Sequence, residues 1–542
     1  MFQSTPIAWA TAVPFRPLVV ILAMVGVGVA LRRLVGERLA APLRRRLLLG
    51  IPWGTVLTAA AVYAVYLFVQ GAYWHGRPLV TPFRTWAYGY PLGLLLGPFT
   101  HGNVGHVTGN VVGTLVYGTV VEYAWGHYPQ RRGATTFSSW GTNPFARILA
   151  VPAVMAVVGV FTGVFALGPI VGFSGVVFAL AGFGAVTRPY LFLGSLFVSR
   201  IVGLLRSAIL SPEPTVGGSV QFVTPWWANI AIQGHAIGLL AGVCLAAGLL
   251  WARGERPDAG RVFFATLVFA VSQGLWAVYV PVGGGRYTLF RWLGTALVLL
   301  LALLVAAATT LTDERLFPDF EGGWVSLAGF ALLVAFGALV LASVPANLAS
   351  VGPADVPDDG VEVRDYVVTY EERVPNAYAA GMPLPYGANE NITQSGVIVV
   401  SPDREIWTTV VQRGRLAQRG RAAVAIGGLG WRETVQVNRT AWSVVGNDSV
   451  YRVSVAHGGQ SRTTFRSNVS TADATLSNRN VTLRPATDGF EIAVRRGNTT
   501  LGTGAIPENM STARIGGLTF ERNRSRLYAG TNGTRVPIAQ AR

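Results

Sequence analysis

Long apolar runs separated by short, arginine-bearing breaks fill the first two thirds of the chain, and the last third alternates in much shorter runs. A span of the hydrocarbon core needs about 20 mostly apolar residues. By that measure ten candidate spans are read, at roughly 17–31, 49–70, 104–124, 147–167, 173–187, 190–209, 228–251, 262–281, 287–309 and 324–345. The fifth, about 15 residues, is short enough that it is expected to begin below the membrane surface. From about residue 350 the pattern changes: "VGPADVPDDG" leads into alternating segments such as "DYVVTY", "SGVIVVS", "YRVSVAH" and "FEIAVRR", punctuated by Gly, Asn and Pro. These read as strands of an antiparallel, sandwich-like all-β module of ~190 residues. The expected fold class is an α-helical polytopic membrane protein with a C-terminal all-β soluble domain. Its expected parts are an extra span and Arg-rich loop over 1–48, a six-span core over 49–252, three more spans over 253–349, and the β-rich domain over 350–542.

Composition agrees with the membrane class: 51% of residues are hydrophobic, 13% are charged, and the mean hydropathy is +0.44. The net charge is +17, with arginine as the only strong base and no lysine. Much of that arginine sits in short loops, where the positive-inside rule accounts for it, so no nucleic-acid partner is expected. If the spans alternate and 32–48 is cytoplasmic, the cytoplasmic links hold Arg32, Arg33, Arg38, Arg44, Arg45, Arg46, Arg131, Arg132, Arg188, Arg253, Arg256, Arg261 and Arg315. The other side holds chiefly Arg16, Arg77, Arg84 and Arg286. That asymmetry predicts a multi-pass cell-membrane protein with both termini outside. Nine Asn-x-Ser/Thr sequons, at Asn391, Asn438, Asn447, Asn468, Asn480, Asn498, Asn509, Asn523 and Asn532, are confined to the β-rich part and point to the same side. Met1 to Pro17 is neither basic nor followed by a small-residue cleavage site, so no removable signal peptide is expected. The single cysteine, Cys244, excludes an intrachain disulfide and a multi-cysteine metal site.

Polar groups inside apolar runs are expensive, which makes each a functional candidate. Three runs carry them. "HGNVGHVTGN" opens the third span with His101, His106 and Asn110; "GFSG" puts Ser174 between Gly172 and Gly175 at the start of the fifth; "GHAIGLLAG" puts His235 in the seventh. His106 and Asn110, four apart, share a helix face and can aim donors at one point, as an oxyanion requires. Ser174 lies where a Gly-containing loop enters a helix, with unpaired backbone N–H groups nearby. Gly238 and Gly242 after His235 form a small-xxx-small face that lets a neighbouring helix approach. Such an approach would bring the Ser174 hydroxyl within reach of the His235 imidazole. Three histidines are enough in number for zinc, but no carboxylate or cysteine stands in register with them, so no metal and no cofactor is called for.

The three segments, in this order and spacing, resemble the rhomboid family of intramembrane serine proteases, in an archaeal-type form with extra spans. The motifs are His-x4-His-x3-Asn, Gly-x-Ser-Gly and His-x2-Gly-x3-Gly, with Glu122 twelve residues after Asn110 also in place. The resemblance covers about residues 49–252. It implies a catalytic dyad of Ser174 and His235 without an acidic third member, an oxyanion site from His106, Asn110 and the Ser174 N–H, and an active site open to the outer side. The implied partners are the lipid bilayer and transmembrane protein substrates; oligomeric state is not implied. The chain departs from the family at Phe178, where many members carry a tyrosine whose ring packs on the catalytic histidine. It departs also before His101, where the loop lacks a clear Trp-Arg motif although Trp86 and Arg84 lie nearby. His101 is expected to support the loop and Glu122 to be a structural carboxylate, while His75, His127 and His457 carry no expected chemistry. The competing readings are a non-catalytic rhomboid-like binder that presents a glycosylated outer domain, and a transporter. A transporter would need paired intramembrane charges or broken helices in two related halves, and neither is seen.

Overall fold

The computed structural model describes residues 15–129, 133–210, 231–281, 287–310, 327–375, 393–531 and 533–542. Contacts divide the chain into two units, Met1–Val280 with Tyr287–Leu348, and Pro281–Arg286 with Ala349–Arg542. The first is helical: α1 (Phe15–Arg46), α2 (Trp53–Ala64), α3 (Val104–Trp125), α4 (Pro144–Val164), α5 (Ser174–Thr187), α6 (Pro189–Leu210), α7 (Ile232–Arg253), α8 (Ala259–Ser272), α9 (Arg291–Thr310) and α10 (Leu327–Leu341). Among the described residues five helical stretches are long and apolar enough to cross a bilayer: α4, α6, α7, α9 and Leu327–Asn347. The chain is a multi-pass membrane protein. Shorter apolar helices occur at Leu18–Ala30, Trp53–Val69, Ser174–Thr187 and Ala259–Ser272. At 22 residues α3 has the length of a span, but His106, Asn110, Thr114 and Glu122 dilute its apolar character.

Several boundaries differ from the hydropathy reading, three of them with a clear local cause. The stretch 32–46, expected as loop from its charge, continues α1, because Arg, Leu and Ala are all good helix formers. Residues 49–52 lie outside α2, since Leu49 (φ 59°) and Gly50 (φ 77°) turn the chain through left-handed conformations. The span expected to reach 281 stops at Ser272, and Tyr279–Pro281 (β1) pairs with Tyr287–Leu289 (β2) as a short hairpin. Residues 228–230 and 324–326 of two expected spans lie outside the described residues, as do Arg131, Arg132, Arg286, Arg315, Asn391 and Asn532.

At the centre stands α5, whose residues from Gly175 to Thr187 are all buried. Its neighbour α7 approaches through glycines: a Cβ at Gly238 would lie 2.1 Å from the Gly175 carbonyl oxygen, and one at Gly242 1.9 Å from that of Ala179. Only glycine allows the two backbones so close. Helices α2 and α3 are joined by a buried polar knot. The Glu122 carboxylate accepts the N–H groups of Gly54 (2.8 Å) and Thr55 (2.7 Å), the Thr55 hydroxyl (2.7 Å) and His127 Nε2 (2.6 Å). His127 Nδ1 accepts the Leu48 N–H at 2.8 Å, which fixes its proton on Nε2. Four donors on one carboxylate compensate its burial.

The second unit is antiparallel β, as the alternation predicts. One sheet runs β3 (Val361–Val363), β4 (Tyr366–Pro375), β5 (Thr393–Ser401), β6 (Ile406–Gln412). Its largest sheet is built from β7 (Arg421–Gly428), β8 (Trp431–Val444), β9 (Ser449–His457), β10 (Gln460–Arg466) and the closing strands from Ser511 to Ala541. A third sheet holds the four strands from Ser470 to Ala505. Trp442, Val450, Leu483, Ile492 and Phe520 pack between these last two sheets, a sandwich-like core. All seven described sequon asparagines are exposed.

Candidate active site

The residues singled out by spacing meet at one end of α3, α5 and α7. Ser174 is the first residue of α5, so its N–H is one of the helix-start donors with no intrahelical acceptor. Its Oγ lies 2.8 Å from His235 Nε2, one turn into α7. On its open side the pair is only half-buried. His235 Nδ1 has no hydrogen-bond partner among the described residues, so no carboxylate orients the ring there. Orientation comes from Phe178 instead, which stacks on the imidazole with ring centroids 4.1 Å apart and planes 11° apart. Phe178 lies one turn beyond Ser174 on the same face of α5, so one helix supplies both the hydroxyl and the ring that holds its partner.

Gly172 determines what sits before the serine. Its φ is 122°, and a Cβ there would fall 2.7 Å from His106 Nε2 and 3.4 Å from Asn110 Nδ2. The backbone just ahead of Ser174 therefore runs against the two side chains read as oxyanion donors, both on one face of α3. Asn103 caps this helix, its side chain accepting the His106 N–H at 2.9 Å. Asn110 donates to His101 Nε2 at 3.0 Å, and the Phe173 N–H reaches the same nitrogen at 3.4 Å. His101 Nε2 is thus an acceptor, and the fully buried ring fixes the Asn110 amide from behind while its second N–H stays free.

The loop ahead of Ser174 is tied on several sides. Thr85 N–H donates to Ile170 O (3.1 Å) and Ile170 N–H to the Thr85 hydroxyl (3.0 Å). Arg84 donates to Pro169 O at 3.1 Å and lies over the Trp86 ring, and Trp86 Nε1 donates to Thr81 O at 2.7 Å. Arg84 thus reaches this loop directly, and Trp86 lies against Arg84. Three side-chain amides that the motifs do not include hold the backbone around the site. Buried Gln70 accepts the His101 N–H (2.7 Å) and donates to His101 O (2.9 Å). Gln233 accepts the Leu167 N–H (2.9 Å) and donates to Phe165 O (2.8 Å) and Leu339 O (2.8 Å). Asn347 donates to Ala166 O (2.8 Å) and Val164 O (3.2 Å). Each stands in an apolar surrounding, "FVQGAY", "AIQGHA" and "VPANLA", and that is the signal by which sequence could have found it. Phe269 on α8 was also missed; it meets Phe178 edge-on at 5.0 Å, on an element outside the motif-bearing core.

His457 belongs to the β unit, where its Nε2 lies 2.8 Å from Glu433, and no hydrogen bond joins His75 to this cluster among the described residues. Chemically the arrangement offers a hydroxyl with an adjacent base and, beside it, two side-chain donors and one main-chain donor. Residues 89–252 match the family described as the rhomboid domain, a family of mostly serine proteases that also includes catalytically silent members. No curated protein and no solved structure matches the chain.

Proposed function

We propose that the rhomboid domain of this chain, residues 89–252, is an active intramembrane serine endopeptidase that cleaves transmembrane segments of other membrane proteins. The observation that carries this reading is the 2.8 Å hydrogen bond between Ser174 Oγ and His235 Nε2. His235 Nε2 takes the hydroxyl proton as Oγ attacks a peptide carbonyl; the tetrahedral oxyanion accepts hydrogen bonds from the Ser174 N–H, His106 and Asn110. The imidazolium then gives its proton to the leaving amine, and water hydrolyses the acyl-enzyme by the same route. A helical substrate must unwind locally first, because its carbonyls are already hydrogen-bonded. The β unit with its exposed sequon asparagines belongs, on this reading, outside the cell, with both termini on that side.

The test is cleavage of a model transmembrane substrate by the full chain in proteoliposomes, with labelling by a serine-directed fluorophosphonate. Ser174→Ala is expected to abolish both. Cleavage surviving in that variant refutes the assignment. Wild-type protein that is folded yet neither labelled nor active identifies the chain as a silent member that binds without cutting.

A further inference from the structure

We propose that the end of the membrane unit opposite Ser174 holds one anionic phospholipid, its phosphate against Arg46 and Arg253 and one tail in the groove between α3, α4, α5 and α7. The 22 residues of α3 run from the His106 and Asn110 end to Trp125, about 33 Å at helical rise, which is the thickness of a hydrocarbon core. At that far end three guanidinium groups crowd onto two carbonyl oxygens. Ala124 O accepts Arg46 Nη2 and Arg253 Nη1, both at 2.9 Å; Trp125 O accepts Arg253 Nη2 at 2.9 Å and Arg147 Nη2 at 2.8 Å. Nitrogens that share an oxygen at such distances are within about 6 Å of each other. Helix-end carbonyls offset only about half a charge.

No carboxylate among the described residues lies within ion-pair distance of Arg46, Arg147 or Arg253. Glu122, one turn back, is filled by its four donors. Exposed Glu255 acts on Arg46 and Arg253 from farther away, and Arg188, at the end of α5, adds another positive charge. Arg147 is spent, donating also to Gly126 O (2.8 Å) and Gly141 O (2.9 Å). Arg46 and Arg253 are half-buried with donors to spare, and Arg46 Nε is buried without a partner. A phosphate supplies the missing acceptors, which guanidinium groups bind in a fork.

The same corner opens into an apolar groove of about 190 Å³, walled among others by Trp125, Val151, Val154, Ala179, Phe183 and Leu249. Trp125 joins the two halves. Its carbonyl carries two of the guanidiniums, its ring lies 3.7 Å beneath Arg147, and its side chain lines the groove. A cationic cluster continuous with an apolar slot at membrane depth suits an amphiphile, not a free anion. The inner wall of the slot is α5, so the tail would rest on the helix that bears Ser174.

Native mass spectrometry of the full chain, stripped in neutral detergent and titrated with phosphatidylglycerol or phosphatidylcholine, tests this without reference to proteolysis. The wild type is expected to retain one phosphatidylglycerol on the order of tenfold more tightly than phosphatidylcholine. Val154→Trp fills the slot from a position 46% exposed, and should not disturb folding; it and Arg253→Gln should each bring phosphatidylglycerol down to the phosphatidylcholine level. Equal binding of the two lipids by the wild type overturns the proposal. So does an unchanged preference in folded Val154→Trp, or competition by glycerol phosphate as effective as by the lipid itself.

Discussion

Replacing Gly238 by alanine tests whether the close approach of α5 and α7 sets the reactive geometry. The added Cβ would stand 2.1 Å from the Gly175 carbonyl oxygen, 2.9 Å from its carbon and 3.2 Å from its Cα, and real Cβ atoms do not come nearer than 3.0 Å. The obstruction is backbone, so no side chain can swing aside, and the helices must part by about 1 Å in an interior too dense to absorb it elsewhere. Gly175 follows Ser174, and Gly238 lies one turn beyond His235, so the displacement falls on the reacting pair itself. Carried through fully, it stretches the 2.8 Å hydrogen bond to about 3.8 Å, past the limit of a hydrogen bond. A misplacement of that size slows an enzyme about 10²-fold, equivalent to about 2.7 kcal/mol of barrier. The assay is single-turnover cleavage of a fluorescent transmembrane substrate in proteoliposomes, read beside the fluorophosphonate labelling rate and a thermal melt. Gly248→Ala on the same helix is the control, since its methyl meets nothing within 4 Å. Gly238→Ala protein that is folded and cleaves at the rate of the Gly248→Ala control would refute the reasoning.

Three further outcomes are expected. Phe178→Tyr should leave the rate of substrate cleavage unchanged, because the ring stacked on His235 is kept; Phe178→Ala should lower kcat about fivefold with little change in KM, from loss of a stacking contact of about 1 kcal/mol. Glu122→Gln leaves two of four donors facing an NH2 group, so the melting temperature in detergent should fall in step with about 3 kcal/mol of lost stability, while fluorophosphonate labelling per folded molecule persists. In the β unit, burial raises the pKa of Asp365, but the hydrogen bond and charge of Arg404, helped by Ser401, bring it below its ordinary value. A depressed carboxylate stabilises the fold above its unfolded pKa and loses that contribution as pH falls through the folded one. Limited proteolysis of the full chain between about pH 5 and pH 2 should therefore show a protection loss that Asp365→Asn flattens.

Much of this molecule is written in local pattern, and the parts that are not share a cause. Runs such as those of α4, α6 and α9 are legible because a bilayer demands about 20 apolar residues in a row. The strands of the β unit are legible because one face is buried and the other wet. Charge misled over 32–46, where a break in hydropathy is not a break in helical preference. Hydropathy misled in turn over 273–281, where apolar residues close a hairpin rather than extend a span. In the site, Ser174, His235, His106 and Asn110 could be read because costly polar groups recur at fixed spacing, and Gly238 and Gly242 because small residues four apart mark a helix contact. Phe269 could not be read, since an aromatic residue in an apolar run looks the same whether it faces lipid or braces Phe178. Gln70, Gln233 and Asn347 lay between these cases: their polarity was visible, but their partners are main-chain carbonyls and amides that no pattern identifies.

Asn347 lies almost a hundred residues past the end of the matched domain, yet it grips Val164 and Ala166, and Gln233 links the same stretch to Leu339. The final membrane helix is therefore a fastener for the bend that leads into Ser174. A chain trimmed to the domain boundary would leave those carbonyls bare in an apolar setting, so the smallest unit that keeps the approach to Ser174 tied ends near residue 348, not 252.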